Sequence, residues 1–216
     1  MSSRDEILNR IRTRLADDPP LERPPVPEVW AKTDPPLEQM MERFANELAA
    51  VQGELFRVAD VNAARNQLET LCSEAGYGEL VVSGHPLARE LATGLSVPIR
   101  ECSDNPVPRD LADVPVSLVE AEYLLADTGS ALIDCPTPRD RLLCYLPPAC
   151  VIVTRTERVR EHMPAVWDDI AARTAEGDRR GEFVIVTGPS RTADIEKILI
   201  LGVHGPKRVV ILAIDG

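Results

Sequence analysis

The sequence predicts an α/β fold in which a mostly parallel sheet carries helices on both faces, with a helical N-terminal extension. Strand-length apolar runs alternate with amphipathic helical segments from residue 37 onward, which is the order of elements that builds a parallel sheet. The aromatic share is only 4%, so aliphatic side chains must supply most of the core, as in parallel sheets covered on both faces. The length of 216 residues fits one such domain with an appendage.

The N-terminal segment 1–36 is predicted to be an extension of the domain at 37–216. Residues 3–16 have the pattern of a short amphipathic helix with Ser3 as its N-cap. Its apolar stripe consists of Ile7, Leu8, Ile11 and Leu15. Seven prolines follow within residues 17–36 and favour an extended tether. The tethered helix can dock within its own oligomer, which we favour, or bind a partner.

Within the domain, helices and strands are assigned from hydrophobic periodicity and from capping residues. Strands are predicted at 54–58, 80–82, 97–100, 124–126, 131–133, 150–153, 183–186 and 209–214. Helices are predicted at 37–50, 61–75, 85–93, 157–176 (interrupted by Pro164) and 192–201. Gly76 is expected to end the helix at 61–75. The proline-containing segments 103–117 and 136–148 are predicted to be loops.

Charge and cysteine pattern limit the class of protein. A net charge of −11 argues against general binding to nucleic acid or to an anionic membrane surface. The five cysteines are irregularly spaced, and no pair has the two-residue gap of a redox, zinc or iron–sulfur motif. The N-terminus is charged, and no apolar stretch approaches the roughly 20 residues that span a bilayer. We therefore expect a cytoplasmic protein with reduced thiols and no transmembrane segment.

The run Thr187–Glu196, TGPSRTADIE, is the strongest candidate for a ligand site. It is predicted to join a buried strand to a helix, the geometry in which α/β sheets present backbone N–H groups to an anion. Gly188 permits the turn, and Ser190 or Thr192 can cap the helix. Asp194 would lie in the first helical turn, where the helix dipole favours a carboxylate. The run lacks the lysine and the spacing of a Walker phosphate loop.

Arg191 is the residue of this run that helix capping does not explain. A guanidinium beside a helix N-terminus adds positive charge where the dipole is already positive. It is favourable there only beside an anion, either a ligand or a carboxylate of the protein. We expect Arg191 to bind a carboxylate or phosphate, assisted by Gly188, Ser190 and Thr192.

Two further segments are expected to complete this site. Thr128, Gly129 and Ser130 offer hydroxyls and amides to a ligand, although turn chemistry alone also explains them. His204, within the GVHGP motif at 202–206, is the candidate proton carrier of the site. The alternative is that His204 bonds only to local backbone.

Other chemistries have less support in the sequence. The cluster Arg139, Asp140 and Arg141 is interpreted as a solvated face rather than an anion clamp. The three histidines show no helical pairing and no carboxylate spaced with them, so no metal site is predicted. Nucleophilic catalysis is not indicated, because Ser130 and Ser190 have no base adjacent in sequence and the G-x-S-x-G motif is absent.

Four motifs in this order resemble the LUD family: ADTGS, then Leu146-Pro147 before a strand, then TGPSRTADIE, then GVHGP. The resemblance covers residues 40–216, and its specific part begins at Thr187. Family members have TGT where this chain has TGS, and serine keeps the hydroxyl. The resemblance implies a Rossmann-like α/β domain similar to the sugar-phosphate isomerase and CoA-transferase group.

The same resemblance implies a role in oxidising L-lactate to pyruvate with two partner proteins that carry iron–sulfur centres. This chain would bind no cofactor alone, and would bind a small anionic metabolite or hold the complex together. Whether it carries catalytic groups stays open. One alternative, argued from fold analogy, is an independent enzyme acting on a phosphorylated or CoA-linked small molecule. Another is an assembly module that acts through its N-terminal helix.

Overall fold

The computed structural model describes residues 3–16, 33–175, 182–193, 199–201 and 205–216. The chain divides into two compact units, Met1–Lys32 and Thr33–Gly216. In the first unit, helix α1 (Ser3–Ala16) confirms the predicted N-terminal helix. Its stripe residues Ile7, Ile11 and Leu15 are 55%, 49% and 63% exposed.

The second unit alternates helices and strands along the chain. Its helices are α2 (Leu37–Ala50), α3 (Val61–Ala75), α4 (Pro86–Ala92), α5 (Pro108–Ala112), α6 (Pro138–Leu143) and α7 (Trp167–Ala175). Its strands are β1 (Glu54–Val58), β2 (Leu80–Val82), β3 (Ile99–Arg100), β4 (Val116–Glu120), β5 (Tyr123–Leu125), β6 (Ser130–Cys135), β7 (Ala149–Arg155), β8 (Val159–Arg160), β9 (Glu182–Val186), β10 (Arg191–Ala193), β11 (Leu199–Leu201) and β12 (Arg208–Ile214). Short 3-10 helices occupy Thr156–Arg158 and Met163–Val166. None of the described helices is long and apolar enough to cross a bilayer.

A six-stranded sheet in the order β1-β12-β7-β4-β2-β3 forms the centre of the second unit. Every neighbouring pair in this sheet is parallel, which confirms the predicted fold class. Alternate residues of the strands face two separate apolar cores. Val210 and Leu212 of β12 pack with α3 and α4 on one face, whereas Val209 and Ile211 pack with α2 and α6 on the other. The helix α3 has the predicted ends, since Asp60 caps its first turn and Gly76 ends it at φ +68°.

A second, four-stranded sheet in the order β8-β5-β6-β9 was not predicted. Strands β5 and β6 form an antiparallel hairpin, and β9 pairs antiparallel with β6. Leu124 and Ile133 on one face of this sheet join the core under the parallel sheet, while Leu125 and Leu132 on the other face pack on α7. The strand expected to be buried at 183–186 belongs to this sheet, and Ile185 is 50% exposed. The strand itself was predicted correctly, but its predicted burial was wrong for Ile185.

Two predicted loops contain short helices. Pro108 and Pro138 occupy the first turns of α5 and α6, where the missing N–H of proline costs nothing. Thr137 caps α6 by accepting a hydrogen bond from the backbone of Asp140. The prolines of these two segments predict loops, but proline in a first helical turn also favours the start of a helix.

Two predicted helices were wrong in part or entirely. A helix was predicted at 157–176, but the α-helix α7 begins only at Trp167. The 3-10 helices and β8 precede it. The segment 192–201 is not a helix where it is described. Strands β10 and β11 pair antiparallel, with Arg191 opposite Leu201 and Ala193 opposite Leu199. A short apolar run such as Leu199–Leu201 fits a strand as well as a helix, so periodicity alone did not decide.

Candidate functional site

The parallel sheet has a topological switch point between β2 and β4. After β2 the chain continues to β3 on the outer side, whereas after β4 it continues to β7 on the opposite side. The connections that leave these two strands therefore diverge and open a crevice at their carboxyl ends. In open α/β sheets this crevice is where ligands bind.

The turn Ser83-Gly84-His85 leaves β2 at this point. Ser83 is 1% exposed, and its backbone N–H donates to the Leu118 carbonyl at 2.9 Å. Its hydroxyl lies 3.0 Å from Nδ1 of His85. The Nε2 atom of His85 is buried and has no hydrogen-bond partner among the residues that the structure describes. The turn thus concentrates buried polar groups at the crevice.

Arg139 and Asp140 of α6 lie beneath this turn and are 6% and 1% exposed. The interpretation of this cluster as a solvated face was wrong for both residues. Asp140 accepts hydrogen bonds from the Gly84 N–H at 3.0 Å and from the Thr137 hydroxyl at 2.6 Å. Its carboxylate also lies 3.5 Å from Nε of Arg139. The same tripeptide, Pro-Arg-Asp, begins α5, where Arg109 and Asp110 are exposed.

A cavity of about 270 Å³ opens outside the carboxyl ends of β2 and β3. Its wall includes Ser83, Arg89, Thr93, Arg100, Cys102 and Arg139. Gly84 permits the close approach of Arg139, because a Cβ at position 84 would lie 2.5 Å from Nη2 of the arginine. We call this space the Arg139 cavity.

A second cavity of about 230 Å³ lies at the ends of β4 and β7, with Glu120, Glu122, Arg155 and Arg158 in its wall. The charged groups here are largely engaged with one another. Glu120 accepts from the backbone N–H of Leu87 at 2.7 Å and so connects β4 to α4. Glu122 pairs with Arg158 at 3.0 Å and with Arg173 at 2.7 Å. This arrangement serves to join the elements around the crevice.

Tyr123 extends the same network toward α7. Its hydroxyl donates to Asp169 at 2.6 Å, and the guanidinium of Arg160 lies 5.2 Å from the centre of its ring. Burial, together with the hydrogen bond to Asp169, raises the pKa of Tyr123 above its ordinary value. The phenol therefore stays protonated through the neutral range and acts as a donor.

The structure brings the described parts of the three predicted loops together. Ser130 Oγ lies 2.8 Å from the Thr128 hydroxyl and 2.7 Å from the Thr187 hydroxyl. The Ser190 N–H donates to the Pro206 carbonyl at 2.8 Å. We call this region the three-loop junction. Its described polar groups hydrogen-bond mainly to one another.

Two glycines of the junction are required by packing against the end of α2. Gly129 has φ +62°, and a Cβ there would lie 2.3 Å from the backbone nitrogen of Leu48. Gly188 has φ +68°, and its Cβ would lie 2.7 Å from Val51 Cγ2. Close packing therefore accounts for both glycines without a ligand, and their role in binding stays a prediction.

The three-loop junction lies at the amino edge of the parallel sheet. Pro206 leads into β12, and the next N–H, that of Lys207, donates to the Pro148 carbonyl just before β7. Thr187 directly follows the carboxyl end of β9, as expected for a run after a strand, but β9 belongs to the second sheet and not to the parallel sheet. The junction and the switch point thus occupy opposite edges of the parallel sheet.

Arg191 lies on β10 and is exposed, and its side chain forms no hydrogen bond or ion pair with the described residues. The argument from a helix N-terminus no longer applies to it, since Arg191–Ala193 form a strand. The side chain of Thr192, together with Asp194 and His204, lies outside the part of the chain that the structure describes. Their predicted roles stay predictions.

The cysteines are free thiols, and only Cys102 is not buried. Burial raises the pKa of Cys150 to about 12, and the pKa of Cys144 is raised by a hydrogen bond with Cys135 and by burial. Among the described residues, no group of three or more histidine, cysteine, aspartate or glutamate side chains is placed to hold a metal ion.

Sequence comparison assigns this architecture to a class. The LUD domain model matches residues 41–214, and the chain belongs to the LUD domain family. The chain is 26% identical to lactate utilization protein C of Bacillus pumilus, over 100% of this chain and 98% of that protein. It is 28% identical to the uncharacterized protein YkgG of Escherichia coli K12, over 100% of this chain and 99% of that protein.

A solved structure shares the fold. It is the crystal structure of a DUF162 family protein from Deinococcus radiodurans, and it superposes with a TM-score of 0.63 at 14% identity. The match covers 84% of this chain and 99% of the other. The family and the fold expected from the four motifs are therefore confirmed.

Proposed function

We propose that this chain is a component of a system that oxidises L-lactate to pyruvate, working with partner proteins that carry iron–sulfur centres. A role in lactate utilization is supported by the relatives that bear that name. The observation that carries the proposal is the match to lactate utilization protein C along the full length of both chains. We likewise propose that the partners are iron–sulfur proteins and that they receive the electrons released from L-lactate.

The division of labour within such a system follows from this chain's own residues. Oxidation of L-lactate to pyruvate releases two electrons and two protons, which need an acceptor. No pair of the five cysteines has the two-residue gap of an iron–sulfur motif. We therefore propose that the iron–sulfur clusters are held by the partners, while this chain binds a small anion or holds the assembly together.

Purification of the tagged full-length chain from its own host tests this proposal. We expect iron–sulfur proteins to co-purify, and the complex to reduce an artificial electron acceptor when L-lactate is added. The isolated chain, expressed alone, is expected to show no such reduction, because the proposal places the iron–sulfur clusters that carry the electrons on the partner proteins. An untagged strain is the control for unspecific retention.

Two results would contradict the proposal. One is a tagged chain that retains no iron–sulfur protein under conditions in which the host oxidises L-lactate. The other is turnover of a phosphorylated or CoA-linked substrate by the isolated chain, which would support an independent enzyme.

A further inference from the structure

Arg139 carries unused hydrogen-bond donors although its side chain is only 8% exposed. Its Nη1 atom is engaged with the Cys102 carbonyl at 3.2 Å and with Asp104 at 2.9 Å. Its Nε atom is buried and lies 3.5 Å from Oδ1 of Asp140, but it forms no hydrogen bond with the described residues. Its Nη2 atom forms no hydrogen bond with the described residues and packs against Gly84. The Nη2 donor is therefore the one that this guanidinium has left for an acceptor outside the chain.

Arg89 is the second guanidinium with free donors in the Arg139 cavity. It projects from α4 and is exposed, and its guanidinium forms no hydrogen bond or ion pair with the described residues. Arg100 lines the same cavity, but its guanidinium is saturated by Glu79, Asp113 and the Asp110 carbonyl. Arg100 therefore contributes to the wall, whereas Arg89 and Arg139 have donors left for a ligand.

Hydroxyl groups complement the two arginines. Ser83 and Thr93 both line the cavity. The Ser83 hydroxyl contacts His85, and the Thr93 hydroxyl donates to the Arg89 carbonyl at 3.0 Å. A hydroxyl offers one donor and two acceptor sites, so each retains capacity for an oxygen or hydroxyl of a ligand.

The volume limits the size of the ligand. At about 270 Å³ the cavity lies below the range of about 300–1,000 Å³ that is typical for drug-sized ligands. A three- or four-carbon acid fits within this volume. The lining contains three arginines and one carboxylate residue, Glu101, which is exposed.

We propose that the Arg139 cavity binds a small organic carboxylate, with Arg139 and Arg89 holding the carboxylate and Ser83 and Thr93 contacting the oxygen at its second carbon. Planar guanidinium groups match a carboxylate in two-point hydrogen bonding. The choice of 2-hydroxy and 2-oxo acids as the class rests on the proposed function. The site lies at the switch-point edge, opposite to the three-loop junction.

Cys102 provides a reporter inside the cavity. It lines the wall and is the one described cysteine that is not buried. We would measure the rate of its alkylation by iodoacetamide in the purified full-length chain, at pH ~8.5 because burial raises the pKa of this thiol. The probes are L-lactate, pyruvate and inorganic phosphate, with sodium chloride at equal ionic strength as the control.

We expect L-lactate or pyruvate to protect Cys102 in a saturable manner. Arg89→Gln is expected to raise the apparent dissociation constant at least about tenfold, because it removes a charge-assisted hydrogen bond. Arg139→Gln, where it folds, should raise the dissociation constant further. Because Arg89 is exposed, Arg89→Gln should keep the thermal midpoint of the wild type. Arg109→Gln, from the exposed copy of the Pro-Arg-Asp tripeptide, is the matched control and should bind like the wild type.

Several results would overturn the proposal. Absence of saturable protection by either organic acid removes the site, and protection by phosphate alone removes the carboxylate assignment. Equal protection in wild type and Arg89→Gln would show that the ligand lies elsewhere. Loss of binding in Arg191→Gln with retention in Arg89→Gln would place the anion at the three-loop junction. If the chain binds the acid but is dispensable for lactate oxidation, the proposed function is rejected and the site is kept. If the chain is required for lactate oxidation but does not bind the acid, only the site is rejected.

Discussion

Replacing Gly129 by alanine is expected to lower the free energy of unfolding by about 2–5 kcal/mol. Two costs add at this position. An alanine at φ +62° has left-handed strain of roughly 1–2 kcal/mol. Its Cβ would also lie 2.3 Å from Leu48 N and 2.7 Å from Glu47 C, so the end of α2 must move, and overpacking of this kind costs about 1–3 kcal/mol. Equilibrium unfolding in urea measures the change.

Gly76→Ala is the matched control for this prediction. Gly76 has φ +68°, but a Cβ there meets nothing within 4 Å. Its replacement should therefore show the backbone strain alone, roughly 1–2 kcal/mol. Equal destabilisation by the two substitutions would contradict the close approach between α2 and the turn before β6.

Asp140→Ala is expected to destabilise the protein by about 3–5 kcal/mol, the usual cost of removing one partner of a buried ion pair. Asp140 is 1% exposed and accepts hydrogen bonds from Gly84 and Thr137. Its loss leaves the Gly84 N–H without its acceptor and removes one of the two carboxylates beside Arg139. The thermal midpoint and the urea midpoint should both fall.

The chain supplies its own control for this substitution. Asp110 occupies the same position in the Pro-Arg-Asp start of α5, but it is exposed. Asp110→Ala should cost less than about 1 kcal/mol, which is the range of a first-turn carboxylate at a helix surface. If both alanine variants unfold at the same urea concentration, Asp140 is not the buried anchor of the cavity.

The elements that could be predicted from sequence are those whose ends and apolar face agree. The helix α3 is the clearest case, because Asp60 begins it, Gly76 ends it, and Leu68 lies on its buried face. Strands β1 and β2 were predicted with their observed bounds, since they are apolar runs between such helices. Where the apolar run was short, as at Leu199–Leu201, helix and strand patterns were equivalent and tertiary pairing decided.

The site was harder to predict because burial is not written in the local sequence. The tripeptide Pro-Arg-Asp occurs at the start of both α5 and α6, exposed in one and buried in the other. Only the position of α6 beneath the turn after β2 makes Arg139 and Asp140 part of a crevice. The sequence contains one signal for this site, because Ser83-Gly84-His85 is a small polar turn directly after an apolar strand. This turn was not predicted to be a site. The three-loop junction was predicted from its motifs. Its position at the amino edge of the parallel sheet was not predicted, because hydrophobic periodicity did not show that β9 belongs to a second sheet.

Growth on L-lactate as sole carbon source tests the central claim most directly. A strain that lacks this chain is expected not to grow on L-lactate while it grows normally on glucose, and the wild-type gene should restore growth. The same strain carrying a stably folded Arg89→Gln variant would then link growth to the Arg139 cavity. Undiminished growth of the deletion strain on L-lactate, with no other lactate dehydrogenase active, would contradict the role in lactate oxidation.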